Sequence, residues 1–504
     1  MAIAQLLERT PRLRVLDGGR DAPPVAAAGR RATSLEDLGR KDARRLELLA
    51  VSLTVFGLVS VAGVSPIESL YSYGSVFSLV ERQVMWALIG LVAFVVARRQ
   101  NLARLRRRVR PILVAAFCLL LAVLVPHLGK GAGGSSRWLG AGPITLQPSE
   151  IAKLAFALFA ADLVARRERC RDQLHELVLP LALIAAILGA LILKQPDLGT
   201  AIVVVGIAAT LWYAGGVRGR LLASVVGVLA VLGSILALAA PYRRARLLAF
   251  LNPFGHASTV GYQLVQSLAA LGSGHLAGHP MATAVSPWLL PNASSDFIFA
   301  AIGNDFGLLG CLAVVCGFAC FGWLGIRIAM RAEDRYRALL ATAITGWIVF
   351  QAFVNMGGVT GLLPDTGIPL PFLSAGGSSL IVALFACGLL ANIARQPKVS
   401  TELVTAPARP ASGTRTRPRA DATRSRQPSA PSHAPRSATR RPAERAPRAA
   451  ASARTPSPRR AGGSRQAATV RRPASAAARH AAVPLRAGAP RRAGVMTGSR
   501  AGLR

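Results

Sequence analysis

The feature that most constrains this chain is a succession of apolar windows between Leu46 and Ile393, ten by count. Their approximate cores are Leu46 to Val64, Val84 to Val96, Ile112 to Val125, Ile151 to Val164, Leu177 to Leu193, Leu198 to Gly215, Leu221 to Ala240, Phe297 to Ile326, Leu339 to Met356 and Ser379 to Ile393. With their flanks they reach the roughly 20 residues a helix needs to cross a bilayer. They are continuous and rich in Leu, Ala and Val, without the period-two alternation of a membrane barrel, so strands are the poorer alternative. The expected fold is an all-α polytopic membrane protein of about ten transmembrane helices. The window after Asp296 is too long for one upright span, so part of it must tilt or project.

Charge orients these spans. Arg40, Lys41, Arg44 and Arg45 precede the first, and the positive-inside rule puts the amino terminus in the cytoplasm. The runs 98–110, 166–171, 218–220 and 327–337 then fall on the same inner side. Ten spans return the carboxyl terminus to the cytoplasm. Left outside are 65–82, 127–147, the tight link Lys194 to Asp197, a large extracytoplasmic loop between helices 7 and 8 (241–296), and 361–378. Arg243, Arg244 and Arg246 lie in that large loop against the rule, in a position to face an anionic ligand.

Composition separates three regions. A hydrophobic share of 52% with a net charge of +37 does not suit a soluble globular domain. Residues 1–45 read as a flexible cytoplasmic leader without the apolar core of a secretory signal, 46–395 as the membrane domain, and 396–504 as a disordered basic tail. From Thr401 onward 23 arginines face only Glu402, Asp421 and Glu444, which calls for an acidic partner: anionic inner-leaflet lipid, an acidic cytoplasmic protein, or nucleic acid. The six cysteines lack metal-ligand spacing and read as packing residues.

Ionisable groups near membrane depth are candidates for function. Arg137 sits in the Gly-rich stretch before Trp138. Glu150 and Lys153 share one face of a helix that Pro148 begins. Glu150 also suits the helix dipole, but nothing local accounts for Lys153, a cation able to neutralise phosphate. Asp197 is either a helix start or a site acid, and Gln263, Gln266 and Ser267 either bind sugar hydroxyls or form the polar side of a surface helix. Asp296, between a polar run and Phe297, reads equally as an N-cap or as a general base whose pKa desolvation raises.

Taken together, SSRWLG with LQPSEIAKLAFALFAA, QPDLGTAIVV, FLNPFG with GYQLVQSLAALGSG, SDFIFAAIGNDFG and NMGGVTGLLPDTGIPLPFLSAGGSSL resemble the SEDS family of peptidoglycan glycosyltransferases, the FtsW/RodA type. The pieces recur in family order from Leu46 to about Ala394. The resemblance implies a ten-helix enzyme of the bacterial cytoplasmic membrane that polymerises lipid II, an undecaprenyl-pyrophosphate-linked disaccharide-pentapeptide, during division or elongation. It assigns Asp296 as the catalytic residue and transfers site roles to Arg137, Glu150, Lys153 and Asp197. It also implies a class B penicillin-binding protein as partner.

In that chemistry Asp296 deprotonates the acceptor 4-hydroxyl as it attacks the donor anomeric carbon, and inversion gives a β-1,4 glycan. Arg137, Lys153 or a divalent cation (Mg or Mn) offsets charge on the departing pyrophosphate, the cation following from leaving-group chemistry alone. A lipid II flippase and a non-catalytic scaffold for the penicillin-binding protein are the rival readings. The chain departs from frequent family residues at Asn292, Ser294 and Ser295, at Asn304-Asp305-Phe306, and at Asp365 and Ala375.

Overall fold

The computed structural model describes residues 25–130, 137–141, 144–167, 174–239, 241–279 and 290–396. The expectations for the tail, for residues 1–24 and for Cys170 lie outside them. Helix α1 (Val25–Val64) begins well before Leu46, because Asp42, Ala43 and Leu46 are already buried against the bundle. It is followed by α2 (Pro66–Tyr73), α3 (Ser78–Arg98), α4 (Leu102–Arg107) and α5 (Val109–Leu124). Where the sequence reads as a Gly-rich loop, a three-stranded antiparallel sheet forms from β1 (Gly129–Lys130), β2 (Trp138–Ala141) and β3 (Ile144–Leu146). Leu139 faces Gly129 on one side and Leu146 on the other.

Next come α6 (Pro148–Arg166), a π-turn at Leu174–Val178, α7 (Leu179–Lys194), α8 (Leu198–Ala214) and α9 (Gly219–Ala239). Pro148 takes the first turn of α6 as its missing N–H allows. The loop expected between 241 and 296 holds α10 (Pro241–Leu251) and α11 (Tyr262–Ser273). The chain then runs through α12 (Ile298–Arg331), α13 (Arg335–Val359) and α14 (Gly377–Ala394). Among the described residues six helices are long and apolar enough to cross a membrane, and Val109–Leu124, Leu198–Ala214 and Gly219–Ile235 are shorter apolar helices. The protein is thus an all-α polytopic membrane protein with several apolar spans and one small sheet.

The over-long window resolves as a kink. Gly307 leaves the helix with φ 63° and ψ −159°, dividing α12 into a buried first part and a longer second part whose Leu308, Leu309 and Leu312 are exposed. The strand of chain after α11 repairs the broken ladder: Leu308 and Leu309 donate to the carbonyls of His275 (3.0 Å) and Leu276 (3.2 Å). His279 in turn donates to the carbonyl of Asn304 (3.0 Å). Two N–H groups and one carbonyl that the kink withdraws from the helix ladder thereby find partners outside it.

Three acids gather the basic clusters at one end of the bundle. Asp42 pairs with Arg327 (2.9 Å) and Arg331 (2.6 Å), Glu47 with Arg98 (3.2 Å) and Arg395 (2.8 Å), and Asp162 with Arg106 (2.7 Å) and Arg166 (2.8 Å). The opposite helix ends converge on 290–297 and 361–376.

Candidate active site

The turn before α12 is built without a cap. Asn292 adopts a left-handed backbone (φ 58°), and its carbonyl accepts from the N–H of Ser295 (3.1 Å) and of Phe297 (3.2 Å). The N-cap position falls on Phe297, with no side-chain hydrogen bond. The Asp296 carboxylate is therefore not engaged in starting the helix. Instead its segment is tied down from three sides: Ser294 donates its hydroxyl to Glu68 of α2 (2.8 Å), Ser374 donates to the carbonyl of Ser295 (2.6 Å), and Asn355 of α13 donates to the carbonyl of Asp296 (2.8 Å).

The facing loop brings charge. The N–H of Gly367 donates to Asp365 (3.0 Å), whose other oxygen pairs with Arg246 of α10 (3.2 Å). Gly367 has φ 63°, a conformation costly for any residue with a Cβ, and a Cβ built there would lie 3.4 Å from the Asp296 carboxylate and 3.7 Å from the Arg246 guanidinium. The glycine thus leaves open the space on which acid and cation converge. Asp296 precedes α12, outside the apolar spans, and its pKa is pushed up to about 7. Burial is the chief cause and the neighbouring Asp365 the second; Arg246 and Arg137 oppose them, and Asp197 adds a small rise. At neutral pH such a group is poised between its two states, the condition in which a general base works best.

Asp296 opens into a cavity of about 1490 Å³. Its polar end is lined by Glu68, Arg82, Arg137, Arg246, Asp296 and Asp365. From there it continues as an apolar groove between α7, α8, α9 and α13, past Ile187, Val205, Leu229, Leu232 and Phe353. Such a space accepts a ligand with an anionic head and a long hydrocarbon chain.

A profile of the FtsW, RodA and SpoVE family, described as cell cycle proteins, matches residues 44–399. The chain belongs to the FtsW/RodA/SpoVE family. It is 37% identical over 366 residues to a probable peptidoglycan glycosyltransferase FtsW of Geobacter metallireducens, covering 72% of this chain and 97% of that one. A probable FtsW of Mycobacterium tuberculosis is 39% identical over 69% of this chain and 66% of its own length. Among solved structures, a chain from a peptidoglycan synthase complex that coordinates polymerization and crosslinking aligns with TM-score 0.59 and 27% identity, over 69% of this chain and 96% of that one. The Thermus thermophilus rod shape determining protein RodA aligns with TM-score 0.50 and 27% identity, covering 69% and 95%. The SEDS resemblance read from the motifs is thereby borne out.

Within this FtsW/RodA/SpoVE scaffold the expected site residues divide. Arg137 lines the cavity, its guanidinium held by the carbonyls of Gln195 (3.0 Å) and Pro196. Asp197 lines it too, yet serves as the N-cap of α8, accepting from the N–H of Thr200 (3.0 Å) and, through its other oxygen, from Gln147 (3.2 Å) and Ser149 (3.3 Å). Glu150 and Lys153 do not line the cavity. Lys153 is 0% exposed, donates to Glu150 and to Gln351 (2.8 Å each), and faces the Trp347 ring. A cation so enclosed is in no position to touch a phosphate.

Gln263, Gln266 and Ser267 do not line the cavity either. The hydroxyl of Ser267 is spent on the carbonyl of Val359 (2.7 Å), fastening α11 to α13, while both glutamines are half-buried on the same helix. Arg246 and Asp365 were visible as charges in unexpected places; Glu68 and Arg82 carried no signal beyond their type. The divalent cation is expected from leaving-group chemistry alone. Among the described residues no group of three His, Cys, Asp or Glu side chains stands together, and the oxygens of Asp197 and Asp365 already have partners.

Proposed function

We propose that this protein polymerises lipid II into β-1,4-linked glycan at the outer face of the cytoplasmic membrane, with Asp296 as general base. The observation that carries the reading is the Asp296 carboxylate, raised to about 7, at the junction between a polar head site that holds three arginines and an apolar groove. The groove suits an undecaprenyl chain, and Arg137 and Arg246 suit its diphosphate. An acceptor sugar hydroxyl beside Asp296 transfers its proton to the carboxylate while its oxygen attacks the donor anomeric carbon. The bond to the lipid diphosphate breaks with its electron pair, and the two guanidinium groups offset the charge that develops. No step is assigned to a metal.

The same reading takes ten spans: the six long apolar helices, the three shorter ones, and Pro148–Arg166, whose Glu150, Lys153, Asp162 and Arg166 lower its hydropathy. The arginine-rich end of the bundle is then cytoplasmic, together with both termini. A class B penicillin-binding protein is the proposed partner, in keeping with the synthase complex that coordinates polymerization and crosslinking. The test is polymerisation of labelled lipid II by the purified full-length chain with that partner. Glycan that disappears in Asp296→Ala is the expected result. Glycan that persists in Asp296→Ala refutes the base, and no glycan with any partner favours the flippase or the scaffold.

A further inference from the structure

Lys153 is enclosed, and yet its contacts lead to the active site. Trp347, Gln351 and Asn355 lie one turn apart along one face of α13. The side-chain oxygen of Gln351 accepts from Lys153 (2.8 Å) and from the Trp347 indole (2.9 Å), while its nitrogen donates to the carbonyl of Pro369 (2.8 Å). Lys and Trp are donors only, so the amide can face no other way, and its N–H must point to the 361–376 loop. One turn on, Asn355 is 4% exposed and its nitrogen donates to two carbonyls, Asp296 (2.8 Å) and Ile368 (2.7 Å). Those carbonyls belong to the two separate segments that carry Asp296 and Asp365.

We propose that Lys153, Gln351 and Asn355 form a positioning relay that sets the Asp296 carboxylate relative to the Asp365–Arg246 pair, so that Lys153 acts on the reaction without touching the substrate. The proposal rests on Asp296 being the base. Asn355 spans the gap between the two segments with a single amide, and Gln351 anchors the second segment to the buried cation. Losing either donor leaves buried carbonyls unpaired and frees the segments to shift. A displacement of about 1 Å at a reacting group is enough to lower turnover on the order of 100-fold.

The experiment compares Asn355→Ala and Gln351→Glu with the parent in the full-length chain reconstituted with its partner. Glu at 351 is isosteric and keeps the acceptor for Lys153 but loses the donor to Pro369. Both variants should lose about 10- to 100-fold in kcat with KM within about threefold. They should still bind an undecaprenyl diphosphate probe, and the acid limb of the pH–rate profile should move by at least ~0.5 unit. A kcat within about twofold of the parent, or a loss of probe binding in both variants, overturns the relay. Asp296→Asn is measured alongside. Polymer made by Asp296→Asn refutes the base itself, whereas an inactive Asp296→Asn beside a fully active Asn355→Ala refutes only the relay.

Discussion

Replacing Asp365 by Asn isolates one cause of the raised Asp296 pKa and leaves the shape of the loop nearly unchanged. In the parent the acid limb of the rate profile belongs near pH 7, because only the ionised carboxylate accepts the proton. The rise from 3.8 to about 7 has burial as its largest cause, which Asn leaves in place, and the Asp365 charge as its second, which Asn removes. Losing the Asp365 charge at 3.2 Å also leaves more of the Arg246 charge to favour the ionised form of Asp296. We expect the limb to fall by about one unit, worth ~1.4 kcal/mol. At pH 6 the ionised fraction then rises from about a tenth to about a half, a gain of roughly fivefold, while the weaker base lowers the plateau by a smaller factor. Initial rates of glycan formation between pH 5 and 9 measure both. An acid limb that stays where it is, or moves to higher pH, refutes the reasoning, since no other acid but Asp197 raises Asp296 and its effect is small.

Gly307→Ala should be severely destabilising, by at least ~3 kcal/mol, because its φ of 63° disfavours a side chain and an added Cβ would lie 2.5 Å from the Gly278 nitrogen and 2.6 Å from the Leu276 carbonyl. Thermal unfolding in detergent reads this directly, and a melting point unchanged from the parent contradicts the spliced kink. Glu150→Leu alone should cost about 3–5 kcal/mol by leaving Lys153 buried with an uncompensated charge, whereas the double change Glu150→Leu with Lys153→Met should recover most of that stability. On the relay described above, the double variant should remain slow in kcat despite its restored melting point.

Much of the fold was legible because span length and composition are local properties. The windows marked the helices, Pro148 marked the start of α6, and the cap reading of Asp197 was written in its own neighbourhood. The cap reading of Asp296 rested on the same local rule and failed. There the turn at Asn292 moves the cap position on to Phe297, and the hydroxyls of Ser294 and Ser295 are drawn to Glu68 and to the Asn292 carbonyl. Glu150 and Lys153 were correctly seen as neighbours on one face, but not which face, because the few polar residues of that helix do not define a single polar side and most of it is buried.

What the sequence by itself determined was a set of spans, their order and an aspartate at the mouth of one of them, since each follows from residues within a turn or two of one another. Only the tertiary structure decided which charges meet. Arg246 reaches Asp365 from a different helix, Gln351 turns a buried lysine toward a loop, and Asn355 joins two carbonyls distant in the chain. Polar groups withdrawn from water take whatever partner packing brings to them, and that choice is made by the helices around them and not by the residues beside them.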